Sequence, residues 1–414
     1  MHASSIENMA RCVDFFMNPE DVTVVDLGAM NVNGSYRELM PDHVRYIGVD
    51  LEAGPGVDVV LEDVYSLPMA DASVDIVLSG QMLEHCAHFW KVFSEIARVL
   101  KPEGKAFIIV PSSGPIHRYP VDCYRFYPDA FQALADWSGL RVVQSWTDGR
   151  GPWRDLVGVF QKGGDLQPVT TPCARAVSAN YQQAPHTDPA AEVCRGVLPY
   201  LDVLSQIHRR RRPELYLEIG VRRGASLALA EGKAIAIDPD PHPDFSVEGR
   251  DIAFHRCTSD DFFFFHPEAQ AAGPVDLAFI DGMHLAENVL RDFMHVEPMM
   301  ARDGIIVIDD VLPNHPVQAN RHRQSQVWTG DVWRFATFLA EQRPDLGLHW
   351  LDTYPSGLLV VTRPDAGNRK LWDNYNPLAR QLMEGVGAAV PEALLDRRHA
   401  IVPTAAWLDE VLGR

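Results

Sequence analysis

Two stretches of this chain repeat one order of short apolar runs and amphipathic segments, and most of the runs end on an acid or a glycine. Runs rich in Val, Ile and Leu that alternate with helical segments are typical of parallel strands covered by helices on both faces. Corresponding glycines lie about 190 to 200 residues apart, which indicates a repeated domain rather than a solenoid. The predicted strands are DVTVVDLG (21–28), VRYIGVD (44–50), SVDIVLSG (73–80) and GKAFIIVP (104–111), then ELYLEIG (214–220), KAIAID (233–238), VDLAFIDG (275–282) and GIIVIDD (304–310), with helices predicted at 89–100 and 286–300. The pattern predicts an α/β fold with two doubly wound domains.

The length of the chain agrees with this division, since 414 residues exceed what one hydrophobic core usually serves. We predict an N-terminal domain over 1–162 and a C-terminal domain over 192–365. The segment 163–191 has no periodicity and many turn formers, so it is interpreted as a linker. The tail over 366–414 is predicted to be helical, and either packs on a domain or forms an oligomer contact such as that of a homodimer.

The charge and the cysteines limit the classes of function. A formal net charge of −19 argues against a nucleic-acid-binding surface and against an anchor to anionic membranes. The 6 cysteines are scattered without a CxxC pair, so a structural zinc or a disulfide framework is not expected, and a reducing cytoplasm is the expected location. The N-terminus has no signal-peptide pattern and no run has the length of a membrane span. The expected partner is a small-molecule substrate.

Acids close the strands at the edge where such sheets bind ligands. In an open doubly wound, Rossmann-like sheet, ligands bind beyond the carboxyl ends of the strands. An acid at the end of the second strand, about 20 residues after the first, is placed to accept hydrogen bonds from a ribose diol. The turns after the first strands are DLGAMNVNGSYRELM and EIGVRRGASLALA, and neither contains G-x-G-x-x-G. This absence disfavours a dinucleotide, and the acid before the first glycine points to S-adenosylmethionine (SAM).

Both halves resemble class I SAM-dependent methyltransferases. Residues 20–160 are similar to the small-molecule type through LPMADASVDIVLSGQMLEH and RVLKPEG. Residues 195–363 are similar to metal-dependent sugar and macrolide O-methyltransferases through YLEIGVRRGAS, FIDGMH and GIIVIDD. The resemblance implies two Rossmann-like methyltransferase domains in tandem and SAM as the cofactor.

The resemblance assigns Asp26, Gly28 and Asp50 to the cofactor in the N-terminal half. Asp63 would approach the adenine amino group, although a residue that only caps a turn fits the sequence equally well. His85 is a candidate general base, because an imidazole takes a proton at neutral pH. The alternative is a histidine at a helix start that is satisfied by the backbone.

An unusual segment follows the predicted strand 104–111. The run SSGPIHRYPVDCYRFYPDAF (112–131) has aromatics, a histidine and two arginines without a strand or helix pattern before Pro128. It is interpreted as a loop that covers substrate, with an ordinary aromatic-packed loop as the alternative.

In the C-terminal half, the resemblance assigns SAM to the first two strand ends and to the segment after them. The expected cofactor residues are Glu218, Gly220, Gly224 and Asp238, together with Ser259 or Asp260 near the adenine.

The C-terminal half also predicts a metal site. Asp281 ends one strand and Asp309 and Asp310 end the neighbouring strand, so three carboxylates are expected to converge. Carboxylates brought together without compensation repel each other, and a hard cation such as Mg²⁺ relieves the repulsion through oxygen ligands. The ion would hold a substrate hydroxyl group, and His284 would take its proton. The alternative is one aspartate that caps a helix and another that is solvated.

These expectations describe a SAM-dependent O-methyltransferase for a hydroxylated small molecule, a sugar or a glycosylated natural product, with either one or both domains active. The closest alternative is one catalytic domain with the other as a scaffold. A non-catalytic adaptor is a third hypothesis. A nicotinamide-dependent epimerase is disfavoured by the missing glycine pattern.

Overall fold

The computed structural model describes residues 2–164, 189–242 and 245–412. The chain forms two compact units, Met1–Val169 with Trp372–Arg380, and Thr170–Leu371 with Gln381–Arg414. Most of the predicted linker, residues 165–188, lies outside the described part of the chain.

The first unit contains a seven-stranded sheet in the order β3-β2-β1-β4-β5-β7-β6. The strands β1 to β5 are parallel, and β7 runs antiparallel to both β5 and β6. The elements of this unit are α1 (Ala3–Phe16), β1 (Thr23–Leu27), β2 (Arg45–Asp50), β3 (Val59–Val60), β4 (Val74–Gly80), α2 (Phe89–Val99), β5 (Leu100–Pro111), α3 (Pro128–Ser138), β6 (Arg141–Thr147) and β7 (Asp155–Gln161).

The alternation of side chains along β1 explains why helices cover both faces of this sheet. Val24 packs with Met9 and Val13 of α1, whereas Val25 faces the opposite core with Phe93 of α2 and Phe131 of α3. Successive strand residues point to opposite faces, so a strand buried on both sides has to be apolar throughout. The apolar run at 21–28 was interpreted on this basis.

The second unit repeats the arrangement, with the order β11-β10-β9-β12-β13-β16-β14. Its inserted strand, β16, is antiparallel to β13 and β14, and the other neighbours in the sheet are parallel. A two-stranded ladder joins β8 and β15. The strands are β8 (Leu198–Pro199), β9 (Leu215–Ile219), β10 (Lys233–Ile237), β11 (Ile252–His255), β12 (Val275–Ile280), β13 (Met300–Ile308), β14 (Gly347–Leu351), β15 (Thr353–Tyr354) and β16 (Leu358–Thr362).

The remaining helices belong to the second unit and to the C-terminal end of the chain, which is helical as predicted. They are α4 (Tyr200–Arg211), α5 (Ser259–Phe265), α6 (Pro267–Gln270), α7 (Ala286–Val296), α8 (Val332–Gln342), α9 (Lys370–Asp373), α10 (Tyr375–Glu384), α11 (Glu392–Leu395) and α12 (Ala405–Leu412). The last of these packs on the second unit, because Leu408 and Leu412 lie in the same core as Ile207 of α4.

One predicted helix is shorter than expected. The pattern over 286–300 predicted a single helix, but α7 ends at Val296 and a 3₁₀ turn covers Glu297–Met299. Pro298 lies in that turn and has no N–H to continue the α-helical hydrogen bonds.

The predicted doubly wound fold is confirmed in both units. The strand order reverses between β1 and β4 in one sheet and between β9 and β12 in the other. Doubly wound sheets bind ligands at such a switch point, beyond the carboxyl ends of the strands. Over the ranges 2–164, 189–242 and 245–412, no helix combines the length and apolar character needed to cross a membrane.

Candidate active sites at the strand ends

A cavity of about 370 Å³ lies at the carboxyl ends of the first sheet. Its wall includes Gly28 after β1, Asp50 at the end of β2 and Gln81 after β4. His85 also lines it, together with residues of the loop that follows β5. The predicted cofactor edge of the N-terminal domain therefore borders a partly open cavity.

Gly28 and Asp50 shape the loop beside this cavity. Gly28 has a φ of +82°, and a Cβ there would lie 2.9 Å from Met82 Cγ, so a larger residue would be strained and crowded. The Asp50 carboxylate accepts hydrogen bonds from the amides of Met30 (3.0 Å) and Leu51 (2.7 Å). A carboxylate has about four acceptor positions, so Asp50 retains acceptor capacity for a ligand.

Asp26 has a different environment, because it is buried and is not part of the cavity wall. The Tyr46 hydroxyl donates to its Oδ2, and its Oδ1 has no hydrogen-bond partner. Burial raises the pKa of Asp26 to about 7. The side chain supports the strand end from within the domain.

The sequence left both a functional and a structural role open for Asp63 and His85, and each has specific contacts in the structure. Asp63 is exposed and accepts a hydrogen bond from the Tyr65 amide at 2.9 Å, which is a turn-capping contact. His85 directs Nδ1 to the Val121 carbonyl, so one ring nitrogen is satisfied by the backbone. Its Nε2 lies 3.6 Å from Oε1 of Glu84, a residue that the sequence interpretation left out.

In the second unit, Gly220 and Asp238 have the geometry of their N-terminal counterparts. Gly220 has a φ of +88°, and a Cβ there would lie 1.9 Å from the Asp281 carbonyl oxygen, so only glycine fits. The Asp238 carboxylate accepts hydrogen bonds from the amides of Val221 (2.8 Å) and Arg222 (2.6 Å), as Asp50 does from Met30.

Glu218 and Gly224 complete the predicted cofactor loop of this unit. Glu218 is buried and accepts hydrogen bonds from the hydroxyls of Tyr216 and Ser226, each at 2.7 Å. Burial raises the pKa of Glu218 to about 7. Gly224 has a φ of +76°, and a Cβ there would lie 2.9 Å from the Phe245 ring.

The residues predicted near the adenine are engaged by other side chains. Asp260 accepts hydrogen bonds from the Arg291 guanidinium, including those from Nε to Oδ1 and from Nη2 to Oδ2, each at 2.9 Å. Ser259 hydrogen-bonds the buried Asp292. These contacts hold α5 against α7, and any adenine contact by the two residues remains a prediction.

The acidic strand ends of the second sheet do converge. Ile280 pairs with Ile308 in the parallel ladder of β12 and β13, so Asp281 follows one strand where Asp309 and Asp310 follow the other. His284 lies between the carboxylates, with Nδ1 3.0 Å from Asp310 Oδ2 and Nε2 3.7 Å from Asp281 Oδ1. One ligand atom from each of Asp281, His284 and Asp310 lies within 4.8 Å of the other two.

Asp309 lies beside this cluster rather than in it. Its Oδ1 accepts hydrogen bonds from the Asp310 amide (2.8 Å) and the Ser356 hydroxyl (3.4 Å). Asp310 has a φ of +63°, a left-handed conformation that aspartate tolerates better than most residues.

The electrostatics of the cluster are those of crowded acids. Burial and the charges of Asp309 and Asp310 raise the pKa of Asp281 well above its usual range. Burial and Asp310 raise the pKa of Asp309 to about 8. Burial acts to lower the pKa of His284, but the charge of Asp310 and hydrogen bonds to Asp310 and the Trp328 carbonyl raise it overall. Oxygen donors with one imidazole, crowded in this way, fit a divalent cation.

Trp328, which sequence reasoning missed, holds the histidine of the cluster. Its ring stacks on His284 with centroids 4.9 Å apart, and its carbonyl lies 2.9 Å from Nδ1. The only sequence signal was a histidine-rich and tryptophan-containing segment after the last predicted strand, and such a segment does not reveal which side chain it approaches.

Family comparisons match both halves of the chain. Residues 15–108 match a family model described as "Methyltransferase domain", and residues 217–311 match a second model with the same description. The chain therefore contains two methyltransferase domains in tandem, and the predicted class I methyltransferase fold is confirmed.

Curated relatives share short segments with the chain. A biotin biosynthesis bifunctional protein BioHC of Cellvibrio japonicus is 39% identical over 59 residues, covering 14% of this chain and 12% of the relative. An uncharacterized methyltransferase of Mycobacterium sp. (strain KMS) is 36% identical over 74 residues, covering 16% of this chain and 29% of the relative. A malonyl-[acyl-carrier protein] O-methyltransferase of Methylococcus capsulatus is 32% identical over 62 residues, covering 15% and 22%. The chain thus spans at most 29% of the length of these relatives.

Solved structures resemble part of the chain. The 1,6-didemethyltoxoflavin-N1-methyltransferase of Burkholderia thailandensis is 21% identical, with a TM-score of 0.33, and the match covers 39% of this chain and 80% of that one. A SAM dependent methyltransferase from Archaeoglobus fulgidus is 16% identical, with a TM-score of 0.32, covering 38% and 92%.

Proposed function

We propose that the protein is a SAM-dependent methyltransferase whose C-terminal domain methylates a hydroxyl group of a small molecule, a sugar or a glycosylated natural product. The observation that carries the proposal is the convergence of Asp281, His284 and Asp310 at the carboxyl ends of β12 and β13. Acids and a histidine at this edge of a methyltransferase domain suit the activation of an alcohol. A malonyl-[acyl-carrier protein] O-methyltransferase among the relatives is consistent with oxygen as the acceptor.

The cofactor proposal rests on the loops at the first two strand ends. Gly28 and Asp50 in the first domain, and Gly220 and Asp238 in the second, would hold SAM. SAM supplies an electrophilic methyl group on its sulfonium. The glycines allow close approach to the backbone, and the acids position the loop amides while keeping acceptor capacity for a ribose diol.

Asp281 and Asp310 would hold Mg²⁺, with Asp309 beside them. The ion would supply a Lewis acid that lowers the pKa of a bound hydroxyl group. His284 provides the proton acceptor in this proposal. Its Nδ1 faces the Trp328 carbonyl and Asp310, so Nδ1 carries the proton and Nε2 is the atom that accepts one.

The test is methyl transfer from radiolabelled SAM by the full chain to a panel of hydroxylated glycosides, before and after chelation with EDTA. We expect chelation to abolish transfer and Mg²⁺ to restore it. Asp310→Asn is expected to reduce kcat at least 100-fold and to change S-adenosylhomocysteine affinity less than about threefold, because the residue acts on the acceptor. The control is Asp303→Asn, because Asp303 is an exposed acid of β13, the strand that Asp310 follows, and pairs with Arg211 of α4. Full activity in EDTA would contradict the proposal that methyl transfer requires a metal ion.

A second candidate function concerns the N-terminal domain, which methylates a second position if it is active. The observation in its favour is the cavity bounded by Gly28, Asp50 and His85. If this domain instead serves as a scaffold, the cavity binds no SAM.

A further inference from the structure

Three side chains at or beside the N-terminal cavity are not used in the O-methylation proposed for the C-terminal domain. They are Glu84, His85 and His117, and one ligand atom from each lies within 4.8 Å of the other two. The rings of His85 and His117 meet edge to face with centroids 4.8 Å apart. The two histidines come from different segments, the 3₁₀ turn at Leu83–His85 and the loop after β5.

Glu84 is a buried carboxylate without a hydrogen-bond partner. Its side chain is 0% exposed, and neither Oε1 nor Oε2 accepts a hydrogen bond. Burial raises the pKa of Glu84 to about 8. A buried carboxyl group without partners is costly, and buried charges in proteins are normally paired or coordinate a metal.

The arginine whose charge acts on this carboxyl group does not hydrogen-bond it. The Arg125 guanidinium donates two hydrogen bonds to Asp122, from Nη1 to Oδ1 at 2.6 Å and from Nη2 to Oδ2 at 2.8 Å. Arg125 thus acts on Glu84 only through its charge, without a direct contact. The carboxyl oxygens of Glu84 are therefore available to bind a cation.

Each histidine has an oxygen acceptor near Nδ1. The Nδ1 of His85 is hydrogen-bonded with the Val121 carbonyl, whereas the Nδ1 of His117 lies 3.4 Å from Asp122 Oδ2 without forming a hydrogen bond. Histidines that bind metals usually donate their other ring N–H to a carbonyl or a carboxylate, which fixes the tautomer. The Nε2 of His85 is left facing Glu84 at 3.6 Å.

The cluster adjoins the space where a substrate would bind. His85 and His117 both line the 370 Å³ cavity, and Gly28 and Asp50 are also part of its wall. Three protein ligands leave a coordination position open, as in catalytic rather than structural zinc sites. The donors include two imidazoles, whereas the cluster in the second unit has one imidazole and two carboxylates.

We propose that Glu84, His85 and His117 bind a divalent transition-metal ion, with Zn²⁺ the best match, at the wall of the N-terminal cavity. A ligand set of two imidazoles and one carboxylate binds such ions in preference to Mg²⁺. The open position faces the cavity, where it takes an oxygen or nitrogen atom of a bound small molecule. The site is independent of the O-methylation proposed for the C-terminal domain.

The test is calorimetric titration of ZnCl₂ into metal-stripped full chain. Asp281→Asn and Asp310→Asn are introduced first, so that the C-terminal cluster does not contribute. We expect one equivalent of Zn²⁺ to bind this parent. Adding His117→Gln or Glu84→Gln should weaken binding at least 10-fold, whereas His88→Gln, at an exposed histidine of the same segment, should leave it unchanged.

Absence of Zn²⁺ binding by the parent, or equal binding by all variants, overturns the proposal. Circular dichroism identifies any variant that does not fold, and His117 lies on a loop, so its substitution removes a ligand without removing a core residue. Co²⁺ gives a second readout, because its visible absorption reports coordination. Loss of these bands in His85→Gln supports the site, and their retention in both histidine variants refutes it.

Discussion

Asp50 and Asp238 close the second strand of each sheet and bind backbone amides of the loop that follows the first strand. Their carboxylates therefore shape the predicted cofactor loop before any ligand arrives. Asp26 and Glu218, one strand earlier, are buried and accept a hydrogen bond from a tyrosine hydroxyl. An acid at the end of the second strand thus accepts hydrogen bonds from loop amides, whereas an acid on the first strand accepts one from a tyrosine hydroxyl.

Gly220 gives the sharpest residue-scale prediction. Gly220→Ala should destabilise the second unit by about 2 to 4 kcal/mol, because it combines a φ of +88° with a Cβ position 1.9 Å from the Asp281 carbonyl. Gly139→Ala is the matched control, since Gly139 has a φ of +72° but a Cβ there would meet no neighbouring atom within 4 Å. This substitution should lower the free energy of unfolding by about 1 kcal/mol. Urea unfolding of the full chain measures both. Equal losses would show that the close contact is unimportant.

At the scale of elements, α4 contains a histidine in the core of the second unit. His208 is 6% exposed, its ring meets Tyr216 edge to face at 4.7 Å, and neither ring nitrogen has a hydrogen-bond partner. Burial lowers the pKa of His208 to about 4. The native helix therefore holds a neutral imidazole where the unfolded chain would bind a proton more readily.

The lowered pKa of His208 predicts that the stability of the protein depends on pH. Between pH of about 6.5 and about 4, the unfolded state binds more protons than the native state at His208, so stability falls as the pH falls through that window. The loss reaches about 3 kcal/mol at the acidic end. His208→Phe keeps an aromatic ring and should flatten this part of the profile in urea unfolding from pH 7.5 to 4.5. A profile parallel to that of the unsubstituted chain would contradict the assignment.

On the scale of the whole molecule, two sheets with one strand order carry two predicted cofactor edges. Their local geometry agrees in the glycine after the first strand and the aspartate after the second. The neighbouring clusters differ, since Glu84 and two histidines lie near one edge and two aspartates with one histidine lie near the other. The two units therefore share a strand order but differ in the residues of these clusters.

The number of SAM sites distinguishes tandem catalysis from a scaffold. We expect two equivalents of S-adenosylhomocysteine per chain by calorimetry, with Asp50→Ala and Asp238→Ala each removing one, because each acid holds one loop. Asp71→Ala and Asp303→Ala, at acids 80% and 83% exposed, serve as controls. A single equivalent that only one substitution removes would identify the other domain as a scaffold, and no binding at all would favour the adaptor.

The sequence by itself determined the two sheets and the positions of their acidic strand ends. Side-chain alternation and strand length are local properties, so runs such as VDLAFIDG indicated a buried strand that ends near Asp281. The pairing of neighbouring parallel strands then required Asp281 and Asp310 to approach each other. Pro298, which is visible in the sequence, also explains why α7 ends before the position that the hydrophobic periodicity predicted.

Only the tertiary structure decided which polar groups are satisfied and which are not. Asp63 caps a turn and Asp260 binds Arg291, whereas Glu84 is buried with no hydrogen-bond partner. The contact between His85 and His117 depends on how the loop after β5 folds back. The partner of Asp260 and the burial of Glu84 come from residues distant in the chain, so no local pattern encodes them.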